Sequence, residues 1–356
     1  MGLSRRWLIV LIFTALIKLF SFFPDLVEKW FSNGIYQGIA LVQRSLFGWM
    51  PFSFGDIFYL AAGIWLLAKL IGLLRRIFRK ELNRGYFFYF IRKLLFISLW
   101  VYIIFNLLWG MNYNRLGIAH QLSLDVKPYG KQELVEVISQ IVGKLNELDS
   151  VSRINRDQLL QKKYLFGESE HCYELLSREE PIFTYKIPSV KNSLFSRAGD
   201  YLGFTGYYNP FSGEAQVNTT VPVFVQPFTT CHEIGHQLGY AKENEANFAG
   251  YLSARSSSDP AFRYSVYFDL YLYAARELYI RDSTLLVPLR ESLHPAIRKD
   301  YKTLREFYRQ YENPLEPILS KIYGKYLRAN QQPQGILSYD EVIAWLIAYF
   351  KKMHSI

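Results

Sequence analysis

Three long apolar runs within the first 109 residues restrict this chain more than any other feature. A backbone in hydrocarbon must satisfy its own amides and carbonyls, so each such run has to cross as a helix or as part of a closed barrel. The first extends from Trp7 to Phe23 and is interrupted only by Lys18, whose long side chain can reach the headgroups. The second covers about residues 54–74 and the third about 86–109. Each approaches the ~20 residues that span the hydrocarbon, so three transmembrane helices are expected. No small-x-small cleavage site follows the first run, which reads as a retained anchor rather than a signal peptide.

The net charge of +10 belongs to this apolar end. Residues 1–109 carry 13 Lys and Arg against 4 Asp and Glu, and the remainder is nearly balanced at 28 against 27. A nucleic-acid partner is thereby excluded, because no basic surface is left on the polar part. The same charges set an orientation. Arg5 and Arg6 precede the first run, and Arg75, Arg76, Arg79, Lys80 and Arg84 follow the second, whereas the intervening loop has only Lys29 and Arg44. Since cytoplasmic loops retain positive charge, the N-terminus lies inside and residues 110–356 lie outside the cell membrane. Six of the seven Trp fall in the first part, as befits rings anchored among lipid headgroups. Ile35, Ile39, Val42, Leu46 and Trp49 recur at helical spacing, which suits either an interfacial helix over about 35–50 or an ordinary surface helix.

Beyond the third run, Leu134, Val137, Ile138, Ile141, Val142, Leu145 and Leu148 mark one face of an amphipathic helix. From Pro181 to Val225 the pattern turns to short β-prone pieces, notably Ile182–Ile187 and Glu214–Asn218. The stretch from Thr229 to Lys352 is mostly helical, with breaks at Asp259-Pro260, Pro288, Asn313-Pro314 and Gln331–Gly335, and Ser338 with Glu341 forms a capping box. The expected fold is α+β: a membrane domain over 1–109, then a mostly helical extracytoplasmic domain over 110–356 with a small sheet.

The chemistry is concentrated in one stretch. His232-Glu233-Ile234-Gly235-His236 puts two imidazoles one helical turn apart on one face, able to bind one Zn²⁺. Glu233 is then placed to take a proton from a water held by the metal without being a ligand itself. A catalytic zinc normally has three protein ligands and one position for water. Gly239 permits a chain reversal, after which a second helix begins at Glu243, the expected third ligand; the alternatives are Glu245 on the same helix or no third protein ligand. Asn247, four residues after Glu243, can hydrogen-bond a ligand imidazole and fix its tautomer.

His232-Glu233-x-x-His236 followed by Glu243-x-x-Ala246-Asn247 resembles the gluzincin metallopeptidases, in which the corresponding Glu is the third ligand and the Asn its supporting partner. With three N-terminal apolar runs and Gly206-Tyr207-Tyr208-Asn209-Pro210-Phe211-Ser212-Gly213-Glu214-Ala215-Gln216-Val217-Asn218, the chain is similar to a bacterial membrane family called domain of unknown function 3810. The resemblance implies a zincin-type fold, zinc as cofactor and His232, His236 and Glu243 as ligands. The short gap from His236 to Glu243 departs from most gluzincins and is similar to the metzincin Gly turn, where a His would fall at Lys242. In a zincin, Gly213, Glu214, Ala215, Gln216, Val217 and Asn218 would form an edge strand lining the cleft, to which an extended substrate adds. Such sites also carry an electrophilic helper for the developing oxyanion, for which Tyr240, His294 and Tyr339 are candidates.

The remaining features read as structural. His120, His171 and His354 are isolated, and Cys172 and Cys231 are buried packing residues or, in an exported domain, a disulfide. Tyr264, Tyr267, Tyr271, Tyr273 and Tyr279 have the spacing of a packing face. The expected function is a membrane-anchored zinc peptidase acting on a soluble or membrane-adjacent peptide or protein, with membrane lipid as its other partner. The alternatives are a non-catalytic zinc protein with a structural or sensory role, and a solute channel. The channel is disfavoured because three spans without paired central charges leave little room for a pathway.

Overall fold

The computed structural model describes residues 4–81, 83–154, 156–335, 337 and 341–353. Ser338, Tyr339 and His354 lie outside the described residues. The longer helices are α1 (Arg5–Phe20), α2 (Tyr36–Phe47), α3 (Phe54–Phe78), α4 (Arg84–Leu108), α5 (Lys131–Leu148) and α6 (Lys162–Glu179). They continue with α7 (Gln226–Gln237), α8 (Glu243–Arg255), α9 (Pro260–Glu291), α10 (Pro295–Gln310), α11 (Glu316–Ala329) and α12 (Val342–Met353). A three-stranded sheet joins them, giving a mostly helical α+β fold.

Among the described residues two helices, α3 and α4, are long and apolar enough to cross a membrane, and a third span exists only if a bent pair is counted as one. The first apolar run supplies the first helix of that pair. After α1 the chain turns by 98° at Pro24, whose ring restricts the residue before it, and continues as a helix through Phe47. Val27–Ile35 of this segment is π-helical. On α2 the apolar stripe faces outward, with Ile35, Val42, Leu46 and Trp49 all exposed, while Tyr36, Ala40, Gln43 and Arg44 turn inward onto the rest of the protein.

The seven apolar positions at helical spacing are all buried in α5, which packs along α9. Asp259 caps α9 by accepting from the Ala261 amide at 2.8 Å. The helix continues through Pro288 rather than breaking there; its interruption is at Asp282, where φ is −167° and ψ is 95°. Tyr264, Tyr267 and Tyr271 point into the core, and Tyr279 is exposed.

The sheet has the order β1-β3-β2, with β1 (Val190–Asn192) parallel and β2 (Gly206–Asn209) antiparallel to β3 (Glu214–Val217). Two expectations are corrected here. Ile182–Ile187 is not a strand: Pro181 opens a 3-10 turn, and Pro188 lacks an amide and restricts Ile187. The segment Gly213–Asn218 is not an edge strand either, because β3 is paired on both sides and is buried. A substrate cannot add to it. The edge facing the site is β2.

Candidate metal centre

The two motif helices approach closely because small residues meet between them. A methyl group on Gly235 would lie 3.3 Å from the Ala249 Cβ, and one on Gly250 would lie 3.1 Å from the His232 amide nitrogen. Gly239 makes the reversal between them at φ +89°, a conformation only glycine adopts without strain. The Tyr240 amide then donates back to the Gly235 carbonyl at 3.2 Å. Lys242, in extended backbone, precedes Glu243 as the first residue of α8.

This turn brings His232, His236 and Glu243 together, with one potential ligand atom from each within 4.8 Å of the others. Glu243 Oε2 is 3.3 Å from His232 Nε2 and 3.6 Å from His236 Nε2. Two ligands held at ~2.0–2.1 Å from a tetrahedral zinc stand ~3.3 Å apart, so these spacings fit a single Zn²⁺. The orientation fits as well. His232 Nδ1 is 2.7 Å from Asn247 Oδ1, and His236 Nδ1 is 2.7 Å from the Tyr240 carbonyl. Each Nδ1–H donates to its oxygen acceptor, which turns the Nε2 atoms toward Glu243. Among the described residues Glu243 Oε2 has no hydrogen-bond partner, while Oε1 accepts from Tyr323 at 2.7 Å and the Glu243 amide donates to Gln332 Oε1 at 2.9 Å.

Glu245 and Lys242 are turned away from this group. The Glu245 carboxylate packs against Gly117, where an added methyl group would overlap it, and Lys242 Nζ lies 3.7 Å from it.

Glu233 is buried beside the two imidazoles, and among the described residues its Oε2 has no hydrogen-bond partner. Gly206, the first residue of β2, passes over it so closely that a methyl group there would lie 2.6 Å from Glu233 Oε1. Burial pushes the Glu233 carboxyl up to about 7, against the pull of His232 and His236. For Glu243 burial acts in the same direction, but its contacts with the two imidazoles prevail and hold it well below the usual carboxylate range. Burial opposes charge on His236, yet Glu243, Glu233 and the Tyr240 carbonyl raise that imidazole to about 9.

The group opens onto a cavity of about 520 Å³. Its walls include Trp109 and Tyr113, Gly206–Tyr208 of β2, and Tyr323 and Tyr326 of α11. Trp109 Nε1 donates to the His236 carbonyl at 3.1 Å, and Tyr36 donates to the Gln237 carbonyl at 2.8 Å, so the end of α7 is held from the apolar part of the chain. Arg115 forms a buried bidentate pair with Glu28 at 2.6 and 2.9 Å and donates to the Gly239 carbonyl at 3.1 Å.

Several candidates fall elsewhere. Neither Tyr240 nor His294 lines the cavity: the Tyr240 hydroxyl donates to Gln121, and His294 sits 3.3 Å from Asp149. Glu214 accepts from the Phe54 and Gly55 amides at the start of α3, and Asn218 donates to Asp200. Gly213, at φ +71°, ends the β2–β3 turn. Cys172 and Cys231 are free and fully buried. Sequence reasoning missed Gly206 as the roof of Glu233 and Tyr323, Tyr326, Trp109 and Tyr113 as cavity walls. For Gly206 the only signal was its glycine at the head of a β-prone piece.

Comparison with curated proteins finds no match, and none of the solved structures matches either. Residues 31–347 match the family described as "Protein of unknown function (DUF3810)". A match over so much of its length, taking in α2 to α11 and the His232–His236–Glu243 group, means that the chain belongs to the DUF3810 family.

Proposed function

We propose that this protein is a zinc-dependent peptidase of zincin type, anchored in the cell membrane by its N-terminal helices with residues 110–356 outside. The observation that carries this reading is Glu233. A buried carboxylate with an oxygen that makes no hydrogen bond costs several kcal/mol of desolvation, and a purely structural or sensory zinc site has no use for it. Beside two imidazoles and at the floor of a cavity, it is positioned as a general base.

His232, His236 and Glu243 would hold Zn²⁺, and Asn247 and the Tyr240 carbonyl would keep both imidazoles in the ligating tautomer. When bound, the ion supplies Lewis-acid polarisation of a carbonyl and a lowered pKa for water. Glu233 takes one proton from the attacking water as its oxygen bonds to the scissile carbon. It returns that proton to the leaving nitrogen as the C–N bond breaks, so its charge is restored each cycle. Gly206 leaves the carboxylate room to face the substrate on that side.

The deciding variant is Glu233→Gln, assayed for zinc content and for hydrolysis of a peptide library. Zinc is expected to stay bound at wild-type stoichiometry while turnover falls ~10²–10⁴-fold. Unchanged function with unchanged zinc would return the site to a structural or sensory role.

A further inference from the structure

One wall of the cavity is made by the long apolar helices. Tyr59 of α3 and Ser98, Val101, Tyr102 and Phe105 of α4 line it, together with Tyr323 and Tyr326 of α11. Ser98 lies ten residues before the end of α4 at Leu108, roughly 15 Å along the axis at ~1.5 Å per residue. That distance is about half of a ~30 Å hydrocarbon layer. The cavity therefore runs from the His232–His236–Glu243 group along α4 to a depth at which a spanning helix meets acyl chains. It is open along this side, since Ser98 is exposed and Val101, which also lines it, is 51% exposed.

The lining suits an apolar occupant. Among the described residues no Lys, Arg or Asp reaches the cavity, and its ionisable groups other than tyrosines are Glu233 and the three candidate ligands. The neighbouring surface is of the same kind. On α11 and the residue before it, Leu315, Ile318, Leu319 and Ile322 form one exposed stripe, with Lys321, Lys325 and Arg328 off it. That is the pattern of a helix lying on a bilayer, and α2 has it too.

Resting on the peptidase reading, we propose that the substrate is a polypeptide with a membrane-inserted apolar segment. This segment reaches Glu233 sideways from the outer half of the bilayer, between α4 and α11, and is cut just outside the apolar stretch.

The test uses the full-length Glu233→Gln protein in liposomes, with p-benzoylphenylalanine replacing Val101. Ile64, 61% exposed on α3 and not among the cavity-lining residues, serves as the comparison position. The probe is a single-span peptide of about 20 Leu and Ala residues with a short, polar, fluorescent flank, and the flank alone is the comparator. On irradiation, capture of the spanning peptide at Val101 is expected to exceed that at Ile64 by about fivefold or more, with no capture of the flank alone. The same readout at Ser98 guards against local misfolding at Val101. Equal capture at Val101 and Ile64, capture of the flank alone, or adducts with lipid only would overturn the proposal. Incubation of zinc-loaded wild type with both peptides separates the two claims. A spanning peptide captured at Val101 but never cut sinks the peptidase reading and leaves the apolar-segment site standing. Cleavage of the free flank without capture of the spanning peptide does the reverse.

Discussion

Glu243 and Glu245 lie two residues apart on one helix and differ in almost every consequence. Removing Glu243 takes away a carboxylate facing two imidazoles, whereas Glu245 faces Gly117 and Lys242. Zinc analysis of purified Glu243→Ala should therefore show loss of the metal, and Glu245→Ala should retain it. Asn247→Ala should weaken zinc binding ~10–100-fold by freeing the His232 ring, as read from competition with a chelator of known affinity. Protons give a second measurement. With its pKa raised to about 9, His236 carries a proton at neutral pH, so an arriving cation must displace it. Calorimetric titration of zinc at pH 7 in buffers of different ionisation enthalpy should show about one proton released, and affinity should fall as the pH is lowered. His232, His236, Glu243 and Asn247 were legible in the sequence because helical periodicity and one glycine turn connect them over sixteen residues. Tyr323 and Gly206 were not, since their closeness to the site is set by tertiary packing, which leaves no local pattern.

Among the elements, the reversal between α7 and α8 is held from outside by Arg115, which ties Glu28 to the Gly239 carbonyl. Both side chains of that pair are buried. Arg115→Ala should cost about 3–5 kcal/mol by leaving the Glu28 carboxylate unpaired, measured by denaturant unfolding in detergent. The double variant with Glu28→Gln should recover part of that loss, and no recovery would show that Arg115 acts through packing alone. Elements were readable where periodicity was strong. The seven positions of α5 repeat at helical spacing and all are buried, whereas β1 is three residues long, too short for alternation to register. The bend at Pro24 was hidden because the residues before it are predominantly apolar, and apolarity alone does not specify whether a helix runs straight.

Across the whole molecule, the apolar helices serve as part of the cavity as well as its support. A fragment of residues 110–356 lacks Trp109, Tyr36 and the wall formed by α3 and α4. Expressed alone, it should bind zinc at least ~10-fold more weakly than the full chain, because the end of α7 that carries His236 loses the hydrogen bonds donated by Trp109 and Tyr36. Equal affinity would show that the soluble part organises its own ligands. That helices long and apolar enough to cross a membrane lie in the first part of the chain was readable from composition. Their interlocking with the rest of the chain was not, since it rests on single side chains such as Trp109 that composition assigns to a lipid interface.

That same indole has a consequence for biosynthesis. While the chain is still emerging from the ribosome, Trp109 cannot dock on the His236 carbonyl, because the histidine, 127 residues further on, has not yet been translated when the third apolar stretch emerges. Completion of the His232–His236–Glu243 group thereby follows synthesis of the apolar helices that wall its cavity.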